Sequence, residues 1–451
     1  MAAPTANRPV PAACLLFLVL AIGSTLKDDA WREQRLLTWD SCSYQLYLAG
    51  ALVGDPFHMA HLRKVEPSGF VWFGEQNALQ YVPERGTAYN KFPIGPALFQ
   101  APFFLCAHAY CLLFDHTEVP DGYSPPYQLS AAIASACWAC CGLLLLGRFL
   151  QRWTDPWPAA IALLALGLGT NLFHYATRGA GMAHPYLFFL FAAMLERTDA
   201  WFRKPTRGAA VAIGAVGGLV LVTRSLDILV FIVPMVWWMG DPMFRARAIA
   251  HFRAHRSHGA WALLAAFVCC VPQMLHWRIT TGHFIFDTYG AEHFNFAEPH
   301  VWEGLFGFRK GWFIYTPLMF LAWWALFRMV KRTALSSYAV ACLAFFVPYI
   351  FLVFSWWCWY YGGGFGSRPM VDTLPLLGLP LAWSVQQAFA QGRARSALVA
   401  AFITAAIALN LFQSEQYRKG IIRWDGMTAA RYLEVFGATS YEGLPPFDPD
   451  H

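Results

Sequence analysis

The sequence has few charged residues for its length. Asp, Glu, Lys and Arg together make up 13% of the 451 residues, whereas 57% are hydrophobic. The charges stand in short stretches between long apolar runs. Because a soluble domain cannot bury so much apolar surface, the sequence predicts an all-α polytopic membrane protein.

The sequence lacks the features that indicate several other classes of protein. The formal charge of +6 comes from basic residues between apolar runs, so no nucleic-acid partner is expected. Cys137 and Cys140 have a redox spacing but lie within an apolar run, which does not favour a redox site.

No clear cleavage site follows the first apolar run, Pro11 to Ile22, and we interpret it as an uncleaved anchor. There is no tandem repeat, and Gly214-x-x-x-Gly218 indicates close helix packing.

About eleven apolar runs are candidate transmembrane helices. They cover residues 9–26, 125–147, 157–173, 181–195, 208–223, 226–239, 259–277, 312–328, 335–354, 369–389 and 396–413. Basic connectors favour the cytoplasmic side, and five of them are consistent with alternating spans. The sequence therefore predicts a multi-pass protein of the cell (inner) membrane, with a cytoplasmic N-terminus and an external C-terminus.

A twelfth apolar stretch, Pro96 to Phe114, does not fit this alternation. If it crossed the membrane, basic connectors would lie on the wrong side. Pro96 and Pro102 also disfavour a straight helix. We therefore expect this stretch to be re-entrant or to lie at the external interface, although an ordinary span with a weak charge rule is the alternative.

The longest loops of this single domain, 1–451, are all predicted to lie outside. They are the first loop, 27–124, with interfacial or re-entrant helices, then 278–311, 356–368 and the C-terminal tail, 414–451. The inner connectors are short and basic. Function is therefore expected at the external face.

Asp40 is the most informative residue of the first loop. A short apolar segment, Tyr44 to Val53, follows it and is too short to cross the membrane, so it is predicted to be an interfacial helix. Asp40 or Ser41 could cap this helix. Alternatively, an external carboxylate in such a chain could be a catalytic base, and both readings stay open at this point.

Four cations are candidates for binding an anion outside. Lys91 lies in a Pro/Gly-rich segment, and its alternative role is snorkelling to the lipid headgroups. Arg368 follows a Trp-rich stretch and three consecutive glycines, an arrangement that can bind phosphate. Arg309 and Lys310 stand at the external end of a span, where an anionic partner would explain them.

Histidines of the external loops could bind a metal ion, but their spacing is not that of a metal site. They are His58, His61, His283, His293 and His300. No cofactor is expected, and a divalent metal ion is a weaker alternative.

Taken in order, the motifs resemble the bacterial integral-membrane glycosyltransferases of family 39, which share the GT-C architecture with protein O-mannosyltransferases and the aminoarabinose transferase. The matching positions are Asp40 with Tyr44, Asn90 to Gly95, Ala101 to Phe104, Asp121 to Tyr127 and Trp356 to Arg368. The family pattern has Gly after the Asp, where this chain has Ser41, which puts the presentation of Asp40 in doubt.

This resemblance implies a GT-C-like bundle that transfers a sugar from a polyprenyl-phosphate donor to an acceptor hydroxyl on the external face. Asp40 would be the general base of an inverting reaction, and Lys91, Arg309, Lys310, Arg368 and Tyr44 would bind substrate or phosphate. The acceptor could be a glycan, a lipid or a protein. A cell-surface glycan polymerase or ligase, a transporter or flippase, and a non-catalytic subunit are the alternatives.

Overall fold

The computed structural model describes residues 8–54, 79–114, 117–240, 242–290, 292–332 and 335–443. Within these residues the chain is helical apart from one antiparallel hairpin of β1 (Leu79–Val82) and β2 (Thr87–Asn90). The first half contains α1 (Pro9–Lys27), α2 (Asp40–Leu52), α3 (Gly95–Leu113), α4 (Pro125–Leu150), α5 (Pro156–Leu168), α6 (Leu172–Ala176), α7 (His184–Arg203) and α8 (Arg207–Leu221). The all-α prediction is confirmed.

The second half continues the same helical pattern. It contains α9 (Ile232–Gly240), α10 (Pro242–Ala254), α11 (Arg256–Thr280), α12 (Val301–Phe306), α13 (Trp312–Tyr315), α14 (Leu318–Arg332), α15 (Ser336–Phe354), α16 (Leu374–Ala390), α17 (Arg393–Arg418) and α18 (Ala429–Val435). Short 3₁₀ turns precede two of these helices, Ser225–Phe231 before α9 and Arg368–Val371 before α16. Proline occupies the first helical turn of α1, α4 and α5, where its missing N–H costs no hydrogen bond.

Six helices within the described residues are long enough and apolar enough to cross a membrane: α1, α3, α4, α11, α15 and α17. Each of the eleven predicted spans is largely helical, but 157–173, 226–239, 312–328 and 369–389 are each divided between two helical segments, and several helices are shorter than a bilayer core requires. The membrane character of the chain is therefore confirmed, whereas the number of crossings and the orientation of the termini stay predictions.

Side-chain contacts show which helices run in the same direction. Ser135 of α4 contacts Tyr186 of α7, and Arg152, two residues beyond the end of α4, forms salt bridges with Glu196 and Asp199 further along α7. Helices α4 and α7 are therefore parallel, as alternation with α5 between them requires. Helices α8 and α11 approach as the glycine motif predicted, because a Cβ on Gly214 would lie 1.9 Å from the carbonyl oxygen of Ala262.

The segment after β2 differs from the sequence expectation. Helix α3 is continuous over 19 residues with Pro102 inside it, so the proline does not break the segment. The ring centroids of Phe99 and Trp138 are 5.0 Å apart, and His108 bonds to the Tyr127 hydroxyl at 2.6 Å. Helix α3 thus runs antiparallel to the first half of α4 and passes that helix's beginning. Helix α3 is also long and apolar enough to cross a membrane, and its position in the membrane stays a prediction.

Candidate functional site

The site forms where α2 meets the turn before α16. The Nη2 atom of Arg368 lies 2.8 Å from Oδ2 of Asp40, and their side chains are 16% and 22% exposed. The sequence proposed Asp40 and Arg368 for separate roles from motifs at opposite ends of the chain. The structure brings them into direct contact, at the end of the bundle where α7 begins.

Asp40 is the first residue of α2, and its side chain makes no helix cap among the described residues. The preceding residue, Trp39, has φ 51° and carries no capping side-chain hydrogen bond. Ser41 holds the turn instead, because its hydroxyl accepts from the Thr38 N–H at 3.0 Å and donates to the Thr38 carbonyl at 2.7 Å. The serine that departs from the family pattern therefore fixes the turn and leaves the Asp40 carboxylate with Arg368.

Tyrosine side chains line the space around this pair. Burial, followed by the Asp40 carboxylate, raises the pKa of Tyr44 well above its usual value, and Arg368 and Arg224 oppose that rise. The ring centroid of Tyr44 is 5.5 Å from that of Phe92. Tyr44 follows Asp40 by four residues on α2 and is buried, and its role in the site stays a prediction.

A second ion cluster lies behind the site and was not assigned to it by the sequence reasoning. The buried Asp372 carboxylate accepts from Arg224 at 3.0 Å and bonds to Nδ1 of His184 at 2.9 Å. Arg224 also lies over the ring of Tyr361, 5.1 Å from its centroid. Two signals could have found this cluster: Arg224 stands three residues before Asp227 at a span boundary, and Asp372 stands four residues after Arg368.

Lys91 is held beside the same space. Its ammonium forms a salt bridge with Glu292 and lies 5.3 Å from the centroid of the Tyr289 ring. The neighbouring Asn90 is buried and donates to the carbonyl of Ser43 at 2.7 Å, which joins this segment to α2. Glu292 is therefore a further residue near the site, and no motif in the sequence indicated it.

Arg309 and Lys310 are bonded to the C-terminal tail. Arg309 donates to both oxygens of Asp425, each at 2.8 Å. Lys310 is buried and donates to the carbonyls of Gly364 and Trp424, the latter at 2.5 Å. Burial lowers the pKa of Lys310 to about 7, and Asp425 opposes this. These contacts connect the tail to the glycine segment, Gly362 to Gly366, which precedes Arg368.

The glycine segment is shaped by tight packing. Gly366 has φ 58°, and a Cβ there would lie 2.4 Å from Nδ2 of Asn171. Gly364 has φ 155°, and a Cβ there would lie 2.7 Å from the hydroxyl oxygen of Tyr175. Since these backbone conformations and contacts exclude a side chain, the glycines let the segment lie against α6 and carry Arg368 towards Asp40.

Two loops that the sequence predicts to be external, 278–311 and 356–368, also pair with each other. Phe294 and Trp356 form an antiparallel β-bridge, and the Trp357 N–H donates to the carbonyl of His293 at 3.1 Å. The ring centroids of Tyr289 and Trp356 are 5.8 Å apart. At least part of the Trp-rich stretch therefore packs on protein, in addition to any role at the membrane interface.

No metal centre is present among the described residues, where no group of three His, Cys, Asp or Glu side chains could hold an ion. His283 lies near Phe286, and His300 stacks on Trp359 at 5.2 Å between ring centroids. The other candidates of the first loop, His58 and His61, lie outside the described residues.

Comparison with known proteins gives distant structural likeness only. No family model and no curated protein matches the chain. The oligosaccharyltransferase of Archaeoglobus fulgidus in its apo form is similar in structure, with 12% sequence identity and a TM-score of 0.49. The match covers 89% of this chain and 55% of that chain. The archaeal oligosaccharyltransferase AglB from the same organism, in complex with an inhibitory peptide and a dolichol-phosphate, matches with 13% identity, the same coverage and a TM-score of 0.47. The chain thus spans about half the length of these proteins, and membership of family 39 stays a prediction.

Proposed function

We propose that the chain transfers a sugar from a polyprenyl-phosphate donor to an acceptor hydroxyl at the external membrane face. The contact of 2.8 Å between Asp40 and Arg368 carries this proposal. It places a carboxylate that can accept a proton beside a guanidinium that can bind a phosphate. Both lie at one end of a bundle of apolar helices, where a lipid-linked substrate would have access.

In the proposed reaction Asp40 is the general base. Its carboxylate takes the proton of the acceptor hydroxyl as the hydroxyl oxygen attacks the anomeric carbon. The bond between that carbon and the phosphate oxygen breaks, and its electron pair leaves with the polyprenyl phosphate. A single displacement of this kind inverts the anomeric configuration. A positioned base contributes about 10²–10⁴-fold to such a step.

Arg368 would stabilise the departing phosphate. Guanidinium carries five N–H donors in a planar fork, so one arm can hold Asp40 while the others bind the phosphate oxygens. This arrangement would also fix the distance between the base and the leaving group. No general acid is required, because the phosphate leaves as a stable anion.

The other predicted cations would act in two different ways. Lys91 lies beside Tyr289 and could contact the donor if its pair with Glu292 opened. Arg309 and Lys310, which bond Asp425 and backbone carbonyls, would position the segment that carries Arg368 rather than bind phosphate themselves. Tyr44 would form a wall of the sugar site.

Mass spectrometry of cells with and without the gene tests the proposal. Surface lipids, glycans and glycoproteins are compared, and one class should lose the mass of a single sugar and regain it on complementation. NMR of the product should show the anomeric configuration opposite to that of the donor. Unchanged masses in every class, or a retained configuration, would contradict the proposed reaction.

A further inference from the structure

A second surface with a specific chemistry lies at the far end of the bundle from Asp40. Helix α7 begins with His184, beside the site, and ends 20 residues later, which is about 30 Å along its axis. Its last turn packs on α10, where the ring centroids of Trp201 and Phe252 are 5.1 Å apart. Helix α10 therefore lies about one bilayer thickness from Asp40.

Helix α10 lies across the ends of the other helices. The segment Phe244–Ala254 makes an angle of 110° with the preceding segment, Ser225–Gly240. Ala248 is fully buried, and the ring centroids of Phe244 and Trp238 are 4.7 Å apart. One face of α10 is thus fixed on the bundle while the rest of its surface faces outwards, as in a helix that lies along a membrane surface.

Within the described residues, the outward side of α10 carries positive charge that no acidic side chain pairs with. Arg245, Arg247, Arg253 and the adjoining Arg256 are exposed, and no acidic residue occurs between positions 242 and 261. None of these four arginines forms a salt bridge within the described part of the chain.

The acidic residues nearest in the sequence to this end of α7 are already engaged. Glu196 and Asp199 are buried and pair with Arg152, Arg197 and Arg203. Among the described residues, these acidic side chains therefore do not neutralise the arginines of α10, which can bind a partner other than this chain.

We propose that this surface, Arg245, Arg247, Arg253 and Arg256, binds the headgroups of anionic phospholipids in the leaflet opposite Asp40. Guanidinium groups bind phosphate oxygens in a bidentate manner, and a helix lying in the interface holds them at the depth of the headgroups. Each basic residue near an anionic membrane surface strengthens binding about fivefold. The proposal does not depend on glycosyl transfer and would stand if that function were wrong.

The test measures lipid binding by the purified full-length protein in detergent, with native mass spectrometry. The protein is titrated with phosphatidylglycerol or with phosphatidylcholine of the same acyl chains. We expect the wild type to prefer phosphatidylglycerol, and Arg245→Gln/Arg247→Gln to weaken that binding about 25-fold without changing binding of phosphatidylcholine. Arg245→Lys/Arg247→Lys retains the charge and should keep most of the preference.

A matched control removes the same charge elsewhere. Arg393→Gln/Arg395→Gln takes two exposed cations from the beginning of α17, which the sequence places on the same side of the membrane. This variant should keep the lipid preference. Equal binding of both lipids by the wild type, an unchanged preference in the α10 variant, or an equal loss in the α17 variant would each overturn the proposal. An equal loss in the α17 variant would show an effect of net charge alone. An unchanged preference in the α10 variant would indicate that the surface binds an acidic protein instead of lipid.

Discussion

Replacing Asp40 by Asn separates its proposed catalytic role from a structural one. Asn retains an oxygen that can accept from Arg368 and occupies the same volume, but it cannot take a proton from an attacking hydroxyl. We therefore expect Asp40→Asn to fold and to bind the donor, and to lose sugar transfer by about 10² or more. Asp40→Ala should lose transfer to the same extent.

The effect on stability is expected to be small for Asn and larger for Ala. The pair is about one fifth exposed, so solvent reduces the strength of the ion pair only in part. Removal of the carboxylate in Asp40→Ala leaves Arg368 without this partner and should cost about 1.5–3 kcal/mol, the range for a hydrogen bond to a charged group. Asp40→Asn keeps a hydrogen bond with one charged partner and should cost roughly half of that or less.

The assay compares transfer rates and melting temperatures of the purified variants in detergent. Asp199→Asn is the control, because it weakens a carboxylate–guanidinium pair with Arg152 at the far end of α7 from Asp40. This control should lose stability while keeping most of its activity. A fully active Asp40→Asn protein would refute the catalytic assignment, and Asp287, in a loop predicted to be external, would then be the next carboxylate to examine. Asp55 and Glu75, two further carboxylates of the predicted first loop, lie outside the described residues.

Three further predictions test the site and its placement. Arg368→Lys keeps the charge but loses the planar fork, and its turnover should fall at least about tenfold in a steady-state transfer assay, whereas unchanged turnover would assign the residue to structure alone. Single cysteines at Arg85 and Val119, on either side of α3, should both react with an impermeant thiol reagent from outside in a background without other exposed cysteines; labelling of only one would show that α3 crosses the membrane. Gly366→Ala should lower the melting temperature and the transfer rate together, because its Cβ would clash with Asn171 at a left-handed backbone position, and an unaffected variant would show that the segment can shift without consequence.

The sequence by itself determined the class of the fold and the main candidates of the site. Long apolar runs separated by short charged stretches predict membrane-spanning helices, because a helix satisfies its own backbone hydrogen bonds in lipid. Gly214 and Gly218 predicted close helix packing, because glycine lets two backbones approach, and the structure shows that the partner is α11. The motifs around Asp40 and Arg368 named two residues that the structure joins.

The tertiary structure alone decided how these residues meet. The prolines were expected to disfavour a straight helix over Pro96 to Phe114, yet α3 is continuous with Pro102 inside it and packs against α4. Likewise, the sequence treated Arg309 and Lys310 as equals of Arg368, but their partners, Asp425 and two backbone carbonyls, come from distant parts of the chain. The sequence does not show which residue a charged side chain on a loop will pair with. The three-dimensional arrangement of the helices decides that partner. That arrangement places Arg368 beside Asp40, Arg309 against Asp425, and Lys310 against the carbonyls of Gly364 and Trp424.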